Sequence, residues 1–248
     1  MTNQKKKVLV LDGNFLMMQA VFVWHASNNQ YISVNYYILM QLFKWIKVYK
    51  PDQIYVVGDG GNSWRKGIYS EYKANRKKAR DKYTDIPWTE LFESYSNLLK
   101  DLQEFTPINT VRIDHIEGDD LISYLCRHLT YSDLFVVTKD KDISQLTILP
   151  NVTMVIPGKG GKYKELDYPE GDIIEEKVRK GDVSDHIPKA KDFLEVVRNH
   201  ILIDLINLPL IIDVQMHTHI NKLTKHIDIE QFKQLYPYKF MNSSLPLL

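Results

Sequence analysis

Carboxylates recur in this sequence directly behind short apolar runs. Asp12 follows residues 7–11 and Asp59 follows 53–57; Glu117, Asp119 and Asp120 follow 109–113; Asp140 and Asp142 follow 133–137; Asp182 and Asp185 come later, in an irregular stretch. A single Asp behind a strand is commonly no more than the cap of the next helix. Four strand ends in succession carry more weight, because a sheet gathers those ends and crowded carboxylates stay ionised together only beside a cation. An oxygen-only ligand set, without cysteine or paired histidines, fits a hard ion such as Mg²⁺, with Mn²⁺ as a substitute. The acids named exceed what one octahedral ion that keeps its waters can use. Two ions about 3.5–4 Å apart, the clamp for in-line phosphodiester cleavage, are therefore expected.

A second cluster has the opposite sign. Between Gly61 and Lys82 the chain carries Arg65, Lys66, Lys73, Arg76, Lys77, Lys78, Arg80 and Lys82 against only Glu71 and Asp81, although the whole chain has a net charge of +1. A charge run is usually a solvated face. This one leaves directly from Asp59 and so must overhang the acids, and Trp64, Tyr69, Tyr72 and Tyr83 are interleaved with its bases. Cations that track phosphates and rings that stack bases suit a nucleic-acid strand. Arg65, Lys73 and Arg76 are the residues expected to grip the reacting phosphate.

Positioning these groups requires strands alternating with helices. Residues 7–11, 53–57, 109–113, 133–137 and 152–156 read as strands of a parallel sheet. Helical periodicity covers 14–24, 34–48, 88–105 and 117–128, and Pro169-Glu170 opens a helix to about 180. The fold class is α/β, and ligands of such sheets sit outside the carboxyl ends of the strands, where the acids lie. Residues 60–87 are too long and too polar for an ordinary connection and read as a functional loop or small helical arch. The GKGGK stretch at 158–162 lacks phosphate-loop spacing and reads as a hairpin turn. After an apolar run at 201–214 the chain ends in a polar helical tail, with 241–248 expected to be loose.

At 248 residues, 44% hydrophobic and 25% charged, the composition is that of an ordinary globular protein. Cys126 alone forms no disulfide or cysteine cage and reads as a core thiol on a helix face. The eight histidines are scattered, without ligand spacing. No apolar run approaches the length of a membrane span, so a cytoplasmic protein is expected.

Taken together, Asp12-Gly13-Asn14, Asp59 with Trp64-Arg65 and Tyr72-Lys73-Ala74-Asn75-Arg76, Glu117-Gly118-Asp119-Asp120, Thr138-Lys139-Asp140-Lys141-Asp142, and Gly181-Asp182-Val183-Ser184-Asp185-His186-Ile187-Pro188 resemble the flap endonuclease and 5′-3′ exonuclease family. The stretches SWRKGIYSEYKANRKKAR and KGDVSDHIP are especially similar to the ribonuclease H of T-even bacteriophages. The resemblance implies a PIN-like central, mostly parallel sheet flanked by helices, with a basic helical arch. It implies a 5′-3′ exonuclease and flap endonuclease acting on 5′ ends and flaps of DNA and RNA–DNA duplexes, and removal of RNA primers in phage-type replication, in the host cytoplasm if the gene is a phage's. One ion would take Asp12, Asp59, Glu117 and Asp119, with Asp120 nearby; the second would take Asp140, Asp142 and Asp182, with Asp185. Lys73 and Arg76 match the arch bases at the reacting phosphate. A sliding clamp and a single-stranded-DNA-binding protein are implied as partners of a monomer.

Two domains are expected: 1–180, a catalytic nuclease domain that includes the arch, and 181–248, an abbreviated helix-turn-helix-like region. Past Pro188 the sequence Lys189-Ala190-Lys191 lacks the family's Gly-x-Gly, which predicts a weak hold on duplex. Two other readings are open: a PIN-like ribonuclease, and a non-catalytic nucleic-acid-binding replication accessory protein.

Overall fold

Residues 5–27, 32–76, 81–168 and 173–248 are described by the structure, a computed structural model. Lys77, Lys78 and Arg80 of the basic run, and the expected helix opening at Pro169-Glu170, lie outside these residues. The strands are β1 (Lys6–Asp12), β2 (Gln53–Val57), β3 (Asn109–Val111), β4 (Ser132–Val137), β5 (Val152–Pro157) and β6 (Tyr163–Leu166), in the order β3-β2-β1-β4-β5-β6. All neighbours are parallel except β5 and β6. The antiparallel β6 was not foreseen. It follows from the expected turn at 158–162, where the Gly158 amide donates to Lys162 O at 2.8 Å. Its exposed YKE face gives the run little apolar signature.

The strand period of two sorts β1 between two cores. Leu9 and Leu11 face one layer, and Val8 and Val10 the other. The first layer is built by α1 (Gly13–Ser27), α2 (Val34–Tyr49) and α4 (Trp88–Phe105), and the second by α5 (Gly118–His128) with the 3₁₀ segment Lys141–Ile148. Local signals set the helix ends. Ser33 caps α2 by accepting from the Asn35 amide at 3.2 Å, an interaction worth about 1 kcal/mol. Glu117 and Asp120 form a capping box at the start of α5. Cys126 is fully buried on α5, and burial pushes its thiol up to about 12.

Beyond residue 180 the chain returns to both layers. α6 (Ile173–Lys180) and α7 (Phe193–Ile203) meet in a small cluster containing Val178, Ile187, Leu202 and Tyr72. α8 (Leu210–Ile220) sends Ile212 and Met216 into the second core. α9 (Ile229–Leu235) and α10 (Met241–Ser244) send Phe232 and Met241 into the first, joined by Tyr236 and Leu245 just past their ends. The expectation of a loose end at 241–248 is therefore corrected, because Met241 is fully buried and Tyr238 and Phe240 stack at 5.9 Å. The described part of 60–87 contains α3 (Arg65–Ile68) and turns, with helix again at 75–76; the rest of the expected arch at 77–80 lies outside the described residues.

Candidate active site

The chain runs from β1 outward through β2 and β3, then crosses to β4 on the other side, so β1 is where the strand order reverses. Crevices form at the carboxyl end of such a point. Asp12 ends β1 there. Its carboxylate accepts from the Phe15 amide at 3.0 Å and from Thr138 Oγ1, just past β4, at 2.7 Å. Gly13 is required beneath it, since a Cβ at that position would stand 2.1 Å from Tyr95 Oη and 2.6 Å from Val57 O. Asp59 accepts from the Gly118 amide at 2.8 Å, which ties the end of β2 to the start of α5. Asp140 accepts from the Asp142 amide at 3.0 Å and caps the 3₁₀ segment.

Arg65, Trp64 and Tyr72 occupy positions other than those expected. Arg65 is 1% exposed; its guanidinium reaches Asp120 at 2.7 and 3.0 Å, Glu117 at 2.9 Å and Leu202 O at 2.9 Å. Trp64 donates from Nε1 to Asp120 at 2.8 Å, and its ring lies against the Arg65 guanidinium. Tyr72 is buried, with its hydroxyl 3.0 Å from both Glu117 and Asp185. Arg65 and Tyr72 frame the acids from within and present no surface to a phosphate or base, whereas Trp64 is half-buried. The physical reason is charge: a buried Asp120 and Glu117 need a buried cation. Asp120 is thereby committed to protein partners. Lys66 and Lys82 are exposed.

Lys73 and Arg76 stand closer to the expected role. Lys73 has φ 57°, a left-handed conformation uncommon for a side-chain-bearing residue, and its amide donates to Asp185 O at 2.9 Å. Its ammonium contacts Glu117 and lies 3.7 Å from Asp185. Arg76, half exposed, reaches Asp185 at 2.7 Å. One residue was missed from sequence. Lys177 on α6 places its ammonium between Asp142 and Asp182, 2.5 Å from the latter. Its only sequence signal was its place five residues before Asp182.

These pairings divide the acids. Glu117, Asp120, Asp142, Asp182 and Asp185 have cationic partners. Asp12, Asp59, Asp119 and Asp140 have none among the described residues. Burial first, then Asp59 and Asp140, lift the Asp12 carboxyl to about 6. Burial, then Asp140, raises Asp119 well above the usual carboxylate range. Burial also pushes Glu117 up, but Lys73 and Arg65 outweigh it and hold the carboxyl at about 2.

Among the described residues no three acidic, histidine or cysteine side chains already close into a metal cage. The chemistry of the donors nonetheless fits a hard cation. Asp119, Asp142, Asp182 and Asp185 wall one crevice of about 10 Å³, room for about one water-sized body. The carboxylates repel one another, Asp59 and Asp140 pushing the Asp12 carboxyl up and Asp140 and Asp12 pushing Asp119 up, a strain that a cation among them would relieve. Histidines stay outside, with His128 and His217 both engaged by Tyr124.

Comparison with known proteins places this geometry. The family profile described as the 5′-3′ exonuclease, N-terminal resolvase-like domain matches residues 7–179. A 5′-3′ exonuclease of Mycoplasmopsis pulmonis (strain UAB CTIP) is 25% identical over 194 residues, covering 75% of this chain and 62% of that protein. The ribonuclease H of Enterobacteria phage T4 is 30% identical over 131 residues, covering 52% of this chain and 42% of that protein. The chain thus spans less than two thirds of the length of these curated relatives. A zinc-bound T5 5′-exonuclease shares the fold, with a TM-score of 0.67 at 18% identity over 88% of this chain and 99% of that one. With the profile running through every parallel strand and the acids at their ends, this chain belongs to the 5′-3′ exonuclease family, through its N-terminal resolvase-like domain.

Proposed function

We propose that the protein is a divalent-metal-dependent 5′-nuclease that hydrolyses phosphodiester bonds at the 5′ ends and flaps of DNA and RNA–DNA duplexes. The observation that carries this reading is the set of carboxylates without cationic partners among the described residues, Asp12, Asp59, Asp119 and Asp140, gathered where the strand order reverses. Asp12, Asp59, Glu117 and Asp119 would hold one ion, and Asp140, Asp142, Asp182 and Asp185 a second. Two bound Mg²⁺ ions would supply Lewis-acid activation of water and charge neutralisation at the phosphate. Asp120, engaged by Arg65 and Trp64, orients Glu117 instead of binding an ion.

The chain's own residues do the remaining work. Arg76 is exposed enough to leave Asp185 for a phosphate, and Lys73 stands behind it at the Glu117 carboxylate. Thr138 donates to one Asp12 oxygen and the Phe15 amide to the other, so that carboxylate keeps one orientation. Removal of RNA from RNA–DNA duplexes is proposed as the biological task, supported by the similarity to the phage T4 ribonuclease H.

Incubation of a 5′-flap, a nicked duplex and an RNA-primed duplex with magnesium, read on a denaturing gel, tests the reading. Cleavage from the 5′ end is expected, with loss on chelation and in folded Asp140→Asn protein. Full activity in Asp140→Asn, or in excess chelator, would remove the metal assignment. Binding of all three substrates without any cleavage would leave a nucleic-acid-binding protein.

A further inference from the structure

The acids assigned to the second ion come from two stretches, Asp140 and Asp142 at the start of the 3₁₀ segment and Asp182 and Asp185 in the turn after α6. β5, β6 and α6 lie between them along the chain, so the connection itself does not set their separation. Each stretch is stiff on its own. Asp140 accepts from the Asp142 amide. Asp182 and Ile187 exchange backbone bonds at 2.8 and 2.7 Å behind Gly181, where a Cβ would stand 2.5 Å from Ile187 O. An ion shared by both stretches needs them held at one distance from each other.

α7 is bonded to both. Asn199, fully buried on α7, donates from Nδ2 to Val178 O of α6 at 3.1 Å and to Pro188 O, just past the turn, at 2.9 Å, while its Oδ1 accepts from Arg198. About one helical turn further along, Gln145 reaches in from the 3₁₀ segment and is 5% exposed. Its Nε2 donates to Ile203 O at 3.3 Å and its Oε1 accepts from the Leu205 amide at 2.7 Å. The carbonyls of a last helical turn have no partner within the helix, and a carboxamide supplies donor and acceptor at once. Leu202, Ile203 and Leu205 in turn form the apolar side of the crevice walled by Asp119, Asp142, Asp182 and Asp185. Neither amide bonds to a carboxylate among the described residues, so each acts through backbone.

We propose that Gln145 and Asn199 are positioning residues for the second ion, with α7 as their common support. Asn199 fixes the side that carries Asp182 and Asp185, and Gln145 fixes the side that carries Asp140 and Asp142. Because the two grips lie close together on one helix, a slip at either changes the span between the two pairs of carboxylates. Asp12 and Asp59 stand at the ends of β1 and β2 and hang on the sheet instead. The inference rests on the two-ion reading of the acids.

Calorimetric titration of Mn²⁺ into Gln145→Met and Asn199→Leu tests it, since both variants keep much of the side-chain volume and remove the bonds. Groups one step out from metal ligands typically govern about 10–100-fold in metal affinity. The weaker Mn²⁺ event should therefore lose about tenfold in each variant while the tighter one holds, and cleavage lost at limiting magnesium should return at saturating magnesium. Asn151→Leu is the control. Its amide is likewise buried, but donates to Leu129 O and Ser132 O at the opposite end of the sheet, so it should lower the urea midpoint and leave both Mn²⁺ events unchanged. Circular dichroism checks folding, and if Asn199→Leu does not fold, Gln145→Met decides alone. An unchanged weaker event in Gln145→Met overturns the proposal, as does an equal loss in Asn151→Leu. A parent that binds two Mn²⁺ ions but cuts no strand defeats the nuclease reading and leaves the positioning intact. A parent with a single binding event removes the second ion, and the proposal with it.

Discussion

Arg65 and Asp120 meet in a two-pronged ion pair inside the protein, Nη2 to Oδ1 at 2.7 Å and Nη1 to Oδ2 at 3.0 Å, with both side chains closed to solvent. Each charge is tolerable there only because of the other, and Glu117 leans on the same guanidinium. Removing one partner leaves a buried charge unpaired. Arg65→Ala is expected to cost about 3–5 kcal/mol of stability, measured by urea denaturation. An unchanged denaturation midpoint together with lost nucleic-acid affinity would return Arg65 to the role of phosphate contact.

The Asp12 carboxyl links stability to pH. Its folded value of about 6 lies above the ordinary 3.8, so the folded state keeps a proton that the unfolded state has lost. Its stabilising contribution is complete below about pH 4 and is lost as pH rises through 6. Asp119, raised by burial and by Asp140, acts in the same direction. Glu117, held at about 2, acts oppositely and loses its contribution only as pH falls below its ordinary 4.5. Metal-free protein should therefore melt higher at pH 5 than at pH 7.5. Asp12→Asn should gain about 3 kcal/mol at pH 7.5 and flatten the dependence. Thermal melts in chelator across this range decide it, and a profile for Asp12→Asn parallel to the parent's would sink the account.

Much of this arrangement was legible because its signals are local. Apolar runs ended by Asp12, Asp59 and Asp140 marked strands and their carboxyl ends together, and parallel pairing of β2, β1 and β4 gathered them. What was hidden depends on which way a side chain turns. The run from Arg65 to Arg76 is uniformly basic and aromatic, yet Arg65 and Tyr72 point inward while Lys66 is exposed. Composition cannot distinguish a cation bound for solvent from one bound for a buried acid 55 residues away. The same holds for Phe232 and Met241, whose polar surroundings concealed their places in the first core.

Lys73 and Arg76 sit three residues apart but at different depths, and their loss should be felt at different steps. Arg76 is half exposed and touches only Asp185 among the acids, so Arg76→Ala should weaken strand binding several-fold and cleavage of bound strand little. Lys73 contacts Glu117 and is held there by a left-handed backbone, so Lys73→Ala should slow single-turnover cleavage by about a hundredfold, nearly 3 kcal/mol in the barrier, with little change in affinity. Rapid-quench kinetics at saturating enzyme, paired with anisotropy, separates the two. A defect of affinity alone in Lys73→Ala would reduce it to an ordinary phosphate contact.

Lys177 bridges Asp142 and Asp182, both assigned here to the second ion. An ammonium that neutralises two ligands at once competes with a divalent cation for the same oxygens, so the ion must either displace it or bind beside a positive charge. Either route lowers affinity at this position, while of the first ion's ligands only Glu117 is paired, with Lys73 and Arg65, and Asp12, Asp59 and Asp119 have no cationic partner among the described residues. Calorimetric titration with Mn²⁺ should therefore resolve a tighter and a weaker event in the parent protein. Lys177→Met removes the competitor and keeps much of the side-chain volume. It should strengthen the weaker event by about 1.5 kcal/mol, roughly tenfold, and leave the tighter one in place. Lys177→Arg, which preserves the charge, should resemble the parent. If Lys177→Met lost the weaker event altogether, the lysine would be positioning Asp142 and Asp182 for the ion and not competing with it.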